Sequence, residues 1–255
     1  MHFDLSNKRY LVVGASSGIG RAISIAISGC NGQVVLTSRN EYNLLKTRDQ
    51  MVGSNHLVMP YDITNIGDIK NFIKNCLNKL ESKFDGLIFT AGVGRVRPIR
   101  SENIDELRSF YDLSYLSYVA FLKEFASKRV LNNGGSIVAI SSRAALFPEK
   151  GYLGYATAKA SINTSSLIVA KELLERKIRV NTICPEMVKT PMTQFFFDNI
   201  SREQLSKFYP LGYLEPEDVA YTTLFLLSDM SKKITGQNFY LSAGNMGSNI
   251  DGYIL

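Results

Sequence analysis

Arg9-Tyr-Leu-Val-Val-Gly14-Ala-Ser-Ser-Gly18-Ile-Gly20 carries an apolar run straight into a glycine-rich turn. Beyond it, Ile19, Ala22, Ile23, Ala26 and Ile27 recur at helical spacing, and Gly29 ends the pattern. A buried strand that breaks at a glycine and resumes as a helix is the geometry of a phosphate cradle. Glycines permit the tight turn and the close approach of backbone to ligand. The helix N-terminus offers free N–H groups and a partial positive charge to a pyrophosphate. The spacing here is G-x-x-x-G-x-G, and Gly14, Ser16, Ser17, Gly18, Ile19 and Gly20 are the candidate cofactor-binding residues of this loop. Two rival readings fail. Gly14-Ala-Ser16-Ser-Gly18 also fits a G-x-S-x-G nucleophile elbow, but that mechanism needs a histidine late in the chain, and the only later one is His56. No Gly-Lys-Ser/Thr follows, so the loop is not a P-loop.

Apolar β-branched runs and helical patterns alternate along the rest of the chain. Strands are expected at Gln33–Thr37, His56–Pro60, Asp85–Thr90, Ser136–Ser142, Ile178–Ile183 and Asn238–Leu241. Helices are expected around Glu41–Met51, along the stripe Ile66, Ile69, Phe72, Ile73, Cys76 and Leu80, over Asn103–Arg129 as one long element, over Gly154–Arg176, and over Glu217–Leu227. Such alternation implies right-handed crossovers and a Rossmann-like, doubly wound parallel α/β sheet of about seven strands with helices on both faces. Residues 1–255 suffice for one domain. The Phe-rich stretch 186–213, with Phe195, Phe196, Phe197 and Phe208, reads as a mobile lid.

The second landmark is Ser142 through Lys159. Tyr155-Ala-Thr-Ala-Lys159 places a phenol and an ammonium on one helix face if the segment is helical. A neighbouring cation favours the phenolate and is expected to lower the tyrosine pKa, making the pair a candidate general acid/base. Ser142 ends the apolar run Ser136–Ser142, where a parallel strand would deliver it into the crevice at the sheet's C-terminal edge.

Selectivity between the nicotinamide cofactors follows from the end of the second strand. An acidic residue there binds the ribose hydroxyls of NAD, whereas an arginine accommodates the 2′-phosphate of NADP. Ser38-Arg39, with no carboxylate before Glu41, predicts NADP(H).

The totals exclude other classes. A net charge of +6 favours anionic partners, but no basic stripe with interleaved aromatics points to nucleic acid, and the only local cluster is Arg95, Arg97 and Arg100. The polar N-terminus lacks a signal-peptide core, and no apolar run approaches the roughly 20 residues that span a bilayer, so no membrane association is expected. Cys30, Cys76 and Cys184 form no CxxC and read as reduced, buried thiols of a cytoplasmic protein. With two histidines in the chain, no metal site is expected.

Taken in order, Gly14-x-x-x-Gly18-Ile-Gly20, Asp62 after the third strand, Ala91-Gly92 after the fourth, Ser142, Tyr155-x-x-x-Lys159 and Pro185-x-x-x-x-Thr190 resemble the short-chain dehydrogenase/reductase family in its single-domain branch. The resemblance covers nearly the whole chain. It implies that Asp62, with Ile63, meets the adenine and that Ala91 and Gly92 line the cofactor. It further implies that Pro185, Val188 and Thr190 hold the nicotinamide end. It makes Tyr155 the proton donor, Ser142 its hydrogen-bonding partner on the substrate oxygen, and Lys159 the residue that binds the ribose and tunes Tyr155. The family's asparagine in the helix after the fourth strand reads Ser114 here, and Ser114 joins the candidate catalytic set. Its Asn-Asn-Ala-Gly reads Phe89-Thr-Ala-Gly92, and its Pro-Gly after the sixth strand reads Pro185-Glu186.

Glu215–Ala220, Phe225–Asp229 and Ile234–Gln237 are similar to the C-terminal pattern of 3-oxoacyl-carrier-protein reductases. The implied activity is an NADPH-dependent carbonyl reductase, with a 3-oxoacyl thioester borne by acyl carrier protein or CoA as one candidate substrate. A different small ketone, a sugar or a steroid-like substrate is the alternative. A non-catalytic NADP-binding protein is the rival from another class, opposed by the intact Ser142, Tyr155 and Lys159. The helices flanking the fifth strand are apolar enough to pair between subunits, and the resemblance implies a homotetramer or homodimer.

Overall fold

The computed structural model describes residues 3–94 and 96–245. Seven strands form one parallel sheet: β1 (Arg9–Val13), β2 (Gln33–Thr37), β3 (Leu57–Val58), β4 (Phe84–Phe89), β5 (Leu131–Ile140), β6 (Arg179–Pro185) and β7 (Asn238–Leu241). Their order is β3-β2-β1-β4-β5-β6-β7, so the winding reverses between β1 and β4. That reversal opens a crevice beyond the C-terminal ends of β1 and β4.

Period-two alternation on β1 explains why helices cover both faces. Leu11 and Val13 join one apolar core with residues of α3 (Ile69–Leu80), α5 (Ser117–Phe125) and α6 (Leu153–Glu172). Tyr10 and Val12 join the other with residues of α1 (Gly18–Gly29) and α9 (Pro216–Leu227). The expected stripe on α3 is buried at Ile69, Phe72, Ile73, Cys76 and Leu80, while Ile66 lies in a preceding 3-10 turn. All three cysteines are buried free thiols.

Five expected elements differ. The fifth strand, expected over Ser136–Ser142, runs Leu131–Ile140, so Ser142 lies just past its end. The third strand shrinks to two residues, pairing Val35 with Leu57 and Leu36 with Val58 at the sheet's edge. The helix α2 (Glu41–Arg48) ends short of Met51, and α6 stops at Glu172 before a separate 3-10 turn. The single helix expected over Asn103–Arg129 is broken: α4 (Ile104–Tyr111) passes through a π-turn at Asp112–Leu116 into α5. Asn103 starts it, its Oδ1 accepting from Asp105 N and Glu106 N at 2.9 and 3.1 Å. The π-turn changes the hydrogen-bond ladder without interrupting the apolar pattern, so periodicity does not reveal it. The stretch 186–213 contains two short helices, α7 (Gln194–Asn199) and α8 (Arg202–Phe208), the latter opened by a Ser201–Gln204 capping box. Of the local arginine cluster, Arg95 lies outside the described residues.

Candidate active site

A cavity of about 1040 Å³ fills the crevice at the winding reversal. Its floor is the turn after β1. Gly14 has φ +91 and Gly18 φ +49, backbone that side chains rarely adopt. A Cβ at Gly14 would lie 2.5 Å from Thr90 Oγ1, and one at Gly20 would lie 2.2 Å from the Gly14 carbonyl oxygen. The loop is thereby pressed against β4, where Thr90 Oγ1 donates to Val13 O at 2.8 Å. Ser17 is the N-cap of α1 but makes no side-chain cap bond, so the helix N-terminus keeps its N–H groups for a ligand. Gly14, Ser16, Ser17, Gly18, Ile19 and Gly20, the candidate cofactor-binding residues, all line the cavity.

Beyond the loop, Ser38 and Arg39 line the cavity at the end of β2. The Ser38 hydroxyl is buried with no hydrogen-bond partner, and Arg39 is exposed. An orphaned donor beside an exposed guanidinium fits an anionic group on the cofactor ribose. Ile63 lines the cavity, together with Tyr61, which motif reading missed. Asp62 does not line it. Its carboxylate turns back to accept from Thr64 N and Thr64 Oγ1 at 3.0 and 2.8 Å. Burial works to raise its pKa, but these bonds and the Arg39 charge outweigh it and hold the group below its ordinary value.

Ala91, Gly92, Pro185, Val188 and Thr190 close the cavity from β4 and β6. Thr190 packs over the turn, its Cγ2 3.1 Å from where a Gly18 Cβ would stand. The glycine cradle, the uncapped helix end and the Ser38 orphan together fit a dinucleotide.

Ser142, Tyr155 and Lys159 converge as expected, and all line the same cavity. Ser142 caps the 3-10 turn at Arg143–Ala145, its Oγ accepting from Ala144 N at 3.1 Å. Accepting there leaves the hydroxyl hydrogen free to donate. Lys159 is buried and donates to Ile140 O at 2.8 Å, while Ser141 Oγ donates to Lys159 O and ties α6 to the end of β5. Gly92 leaves the ammonium room, since a Cβ there would lie 3.2 Å from Nζ.

The electrostatics differ from expectation in one respect. Lys159 Nζ sits 6.0 Å from the Tyr155 ring centroid, committed to the Ile140 carbonyl. Burial raises the Tyr155 pKa; hydrogen bonding with Ser142 opposes that, and the Cys184 thiol adds to it. Lys159 itself is lowered to about 8 by burial. Desolvation therefore governs the phenol, and Tyr155 moves up where the neighbouring cation was expected to bring it down.

Ser114 does not reach the cavity. It sits inside the π-turn, buried, its hydroxyl without a hydrogen-bond partner, while Leu113 beside it does line the cavity. Sequence reading also missed Arg143, Glu149 and Glu186, which gather at the Tyr155 end; the Glu that follows Pro185 in place of glycine was the one signal for them. Phe195 and Phe196 of α7 and Gln204 of α8 form the outer wall. Among the described residues, no His/Cys/Asp/Glu group has metal-binding geometry and no helix is long and apolar enough to cross a membrane.

The chain matches a family model described as Enoyl-(Acyl carrier protein) reductase over residues 14–245. It is 30% identical over 243 residues to the 3-oxoacyl-(acyl-carrier-protein) reductase FabG of Rickettsia conorii, covering 94% of this chain and 98% of that protein. It is also 30% identical over 235 residues to carbonyl reductase family member 4 of Danio rerio, covering 92% and 96%. A solved short-chain type dehydrogenase/reductase from Mycobacterium ulcerans superposes with a TM-score of 0.87 at 27% identity, over 95% of this chain and 91% of that one.

Proposed function

Because the chain belongs to the short-chain dehydrogenase/reductase family, whose members are oxidoreductases acting on carbonyl and alcohol groups through a nicotinamide cofactor, we propose that it is an NADP(H)-dependent carbonyl reductase. The observation that carries the reading is the convergence of Ser142, Tyr155 and Lys159 in the same cavity as the glycine cradle. A bound nicotinamide supplies the hydride that reaches the carbonyl carbon. The chain's own residues do the rest. Tyr155 gives its phenolic proton to the carbonyl oxygen as the alcohol forms, and its raised pKa keeps that proton in place at neutral pH. Ser142 donates to the same oxygen and orients it. Lys159 stands next to the phenol and offers its remaining N–H donors to the cofactor ribose.

Ser38 and Arg39 support NADP over NAD, since an exposed guanidinium and an unbonded hydroxyl suit a 2′-phosphate. Pro185, Val188 and Thr190 would bracket the nicotinamide, and Ile63 with Tyr61 the adenine; Asp62 would act through the turn it stabilises. A 3-oxoacyl thioester is the leading substrate, by similarity to the 3-oxoacyl-(acyl-carrier-protein) reductases. Ser114 would act in catalysis only through a water at its unbonded hydroxyl. Residues 1–255 form one cofactor-binding domain with 186–213 as its substrate lid, in a cytoplasmic homo-oligomer.

NADPH oxidation followed at the nicotinamide absorbance, with acetoacetyl-CoA as substrate, tests this. Turnover that disappears in Tyr155→Phe while NADPH still binds is the expected result. Turnover surviving that substitution would refute the assignment of the proton donor.

A further inference from the structure

The Tyr155 end of the cavity carries a charged cluster drawn from three separate stretches of chain. Arg143 follows Ser142 directly; its Nη1 donates to Glu149 Oε1, and its Nε lies 2.8 Å from Glu186 Oε1. All three residues line the cavity beside Ser142, Tyr152 and Tyr155. Their side chains are deeply set, with exposures of 11% for Arg143, 19% for Glu149 and 3% for Glu186. Two carboxylates share one guanidinium, so the cluster holds one excess negative charge. Lys159, the other cation lining the cavity near Tyr155, stands apart from the cluster and donates one N–H to the Ile140 carbonyl.

The two carboxylates are not equivalent. Glu186 Oε1 also accepts from Tyr240 OH at 2.7 Å, which knits the ends of β6 and β7 together. Glu149 Oε2 receives no hydrogen bond among the described residues, so it remains an open acceptor. Glu149 also sits close enough to Tyr152 that its charge, after burial, adds to the rise in that phenol's pKa. The Tyr152 ring in turn packs edge-on against Tyr155 with centroids 6.0 Å apart. Glu149 is therefore one aromatic ring removed from the proton donor. The Phe147 ring centroid lies 5.9 Å from the Arg143 guanidinium, and the ring adds an apolar surface beside the cluster.

We propose that the Arg143–Glu149–Glu186 cluster sets the charge selectivity of the site, with Glu149 the specificity-determining residue. Uncharged ketones, such as esters and thioesters of 3-oxo acids, are accepted, and the corresponding free carboxylates are rejected. This rests on the reading above that the cavity takes a carbonyl substrate. An entering carboxylate would meet the cluster's excess negative charge, and Arg143 is already paired with both glutamates, by a hydrogen bond to Glu149 and an ion pair to Glu186.

Ethyl acetoacetate and acetoacetate share the reacting carbonyl and differ in charge, so their relative kcat/KM reads the effect. Wild-type protein should favour the ester by roughly ten- to a hundredfold, and Glu149→Gln should narrow that ratio by about tenfold. A binding measurement runs beside it without turnover or any variant: saturation-transfer NMR with butyramide and butyrate. Wild-type protein should show butyramide contacts and no butyrate contacts. Equal binding of the two, no butyramide binding, comparable use of ester and acid, or a ratio unmoved by Glu149→Gln would each overturn the proposal. Butyramide-over-butyrate selectivity without turnover of either ketone would sink the carbonyl-reductase reading and leave the charge selectivity standing.

Discussion

The same substitution made at two glycines of one helix should have opposite effects. At Gly20, in the first turn of α1, an added Cβ would lie 2.2 Å from the Gly14 carbonyl oxygen, 2.8 Å from its carbonyl carbon and 2.7 Å from Thr90 Oγ1. Relief of the first contact needs a retreat of about 1.3 Å, since carbon contacts become favourable only near about 3.5 Å. Gly14 is poorly placed to give way. Its N–H donates to Thr37 O at 2.9 Å, and Thr90 Oγ1 is fixed on Val13 O at 2.8 Å. Gly20→Ala should therefore cost about 1–3 kcal/mol, as overpacking usually does. For a chain of this size that corresponds to a Tm lowered by roughly 2–12 °C. Because the displaced group belongs to the phosphate cradle, NADPH affinity should fall with it. At Gly29, the last residue of the same helix, nothing lies within 4 Å of an added Cβ. Gly29→Ala should gain about 0.5–1 kcal/mol from the stiffer unfolded chain, with NADPH binding unchanged. Thermal unfolding and an NADPH fluorescence titration of both variants decide it. If Gly20→Ala melts and binds like Gly29→Ala, the close-approach account of this loop is wrong.

Two further outcomes follow from the site's charges. Arg39→Glu should weaken NADPH binding by roughly ten- to a hundredfold, the loss of one charge-assisted contact, while NADH binding holds or improves; fluorescence titrations with both cofactors check it, and parallel losses would refute a 2′-phosphate contact. Burial lowers Lys159 from 10.5 to about 8 in the folded chain, so between those values the unfolded chain binds more protons. Stability relative to Lys159→Met should then be flat below pH 8 and climb as pH rises from 8 towards 10.5. Urea midpoints of the two proteins across that window test it, and a constant difference would show that Lys159 is not desolvated.

Much of the fold is legible in the order of residues. The alternation of apolar runs and helical patterns called for helices on both faces of a parallel sheet, and the structure puts α3, α5 and α6 on one and α1 and α9 on the other. The loop Gly14–Gly20 and the pair Tyr155 and Lys159 are local signals: each depends on residues a few positions apart, within one turn or one helix face. The break inside residues 103–129 was invisible because a π-turn leaves the apolar spacing intact, and the buried, unbonded Ser114 hydroxyl shows only once α6 is packed beside it.

What the order of residues determined by itself was the alternation of strand and helix, the glycine turn after β1 and the candidate catalytic side chains. Whether those side chains behave as expected was decided by tertiary structure. Lys159 was expected to pull the Tyr155 pKa down; folding commits its ammonium to Ile140 O and buries the phenol, so desolvation prevails. Asp62 pointed to the cofactor in the motif but spends its carboxylate on Thr64. Arg143, Glu149 and Glu186 meet because β5, β6 and the loop before α6 end at the same edge of the sheet. A hydrogen bond or a desolvation penalty depends on which groups share a few ångströms of space, and residues 37 positions apart in sequence (149 and 186) acquire that neighbourhood only on folding.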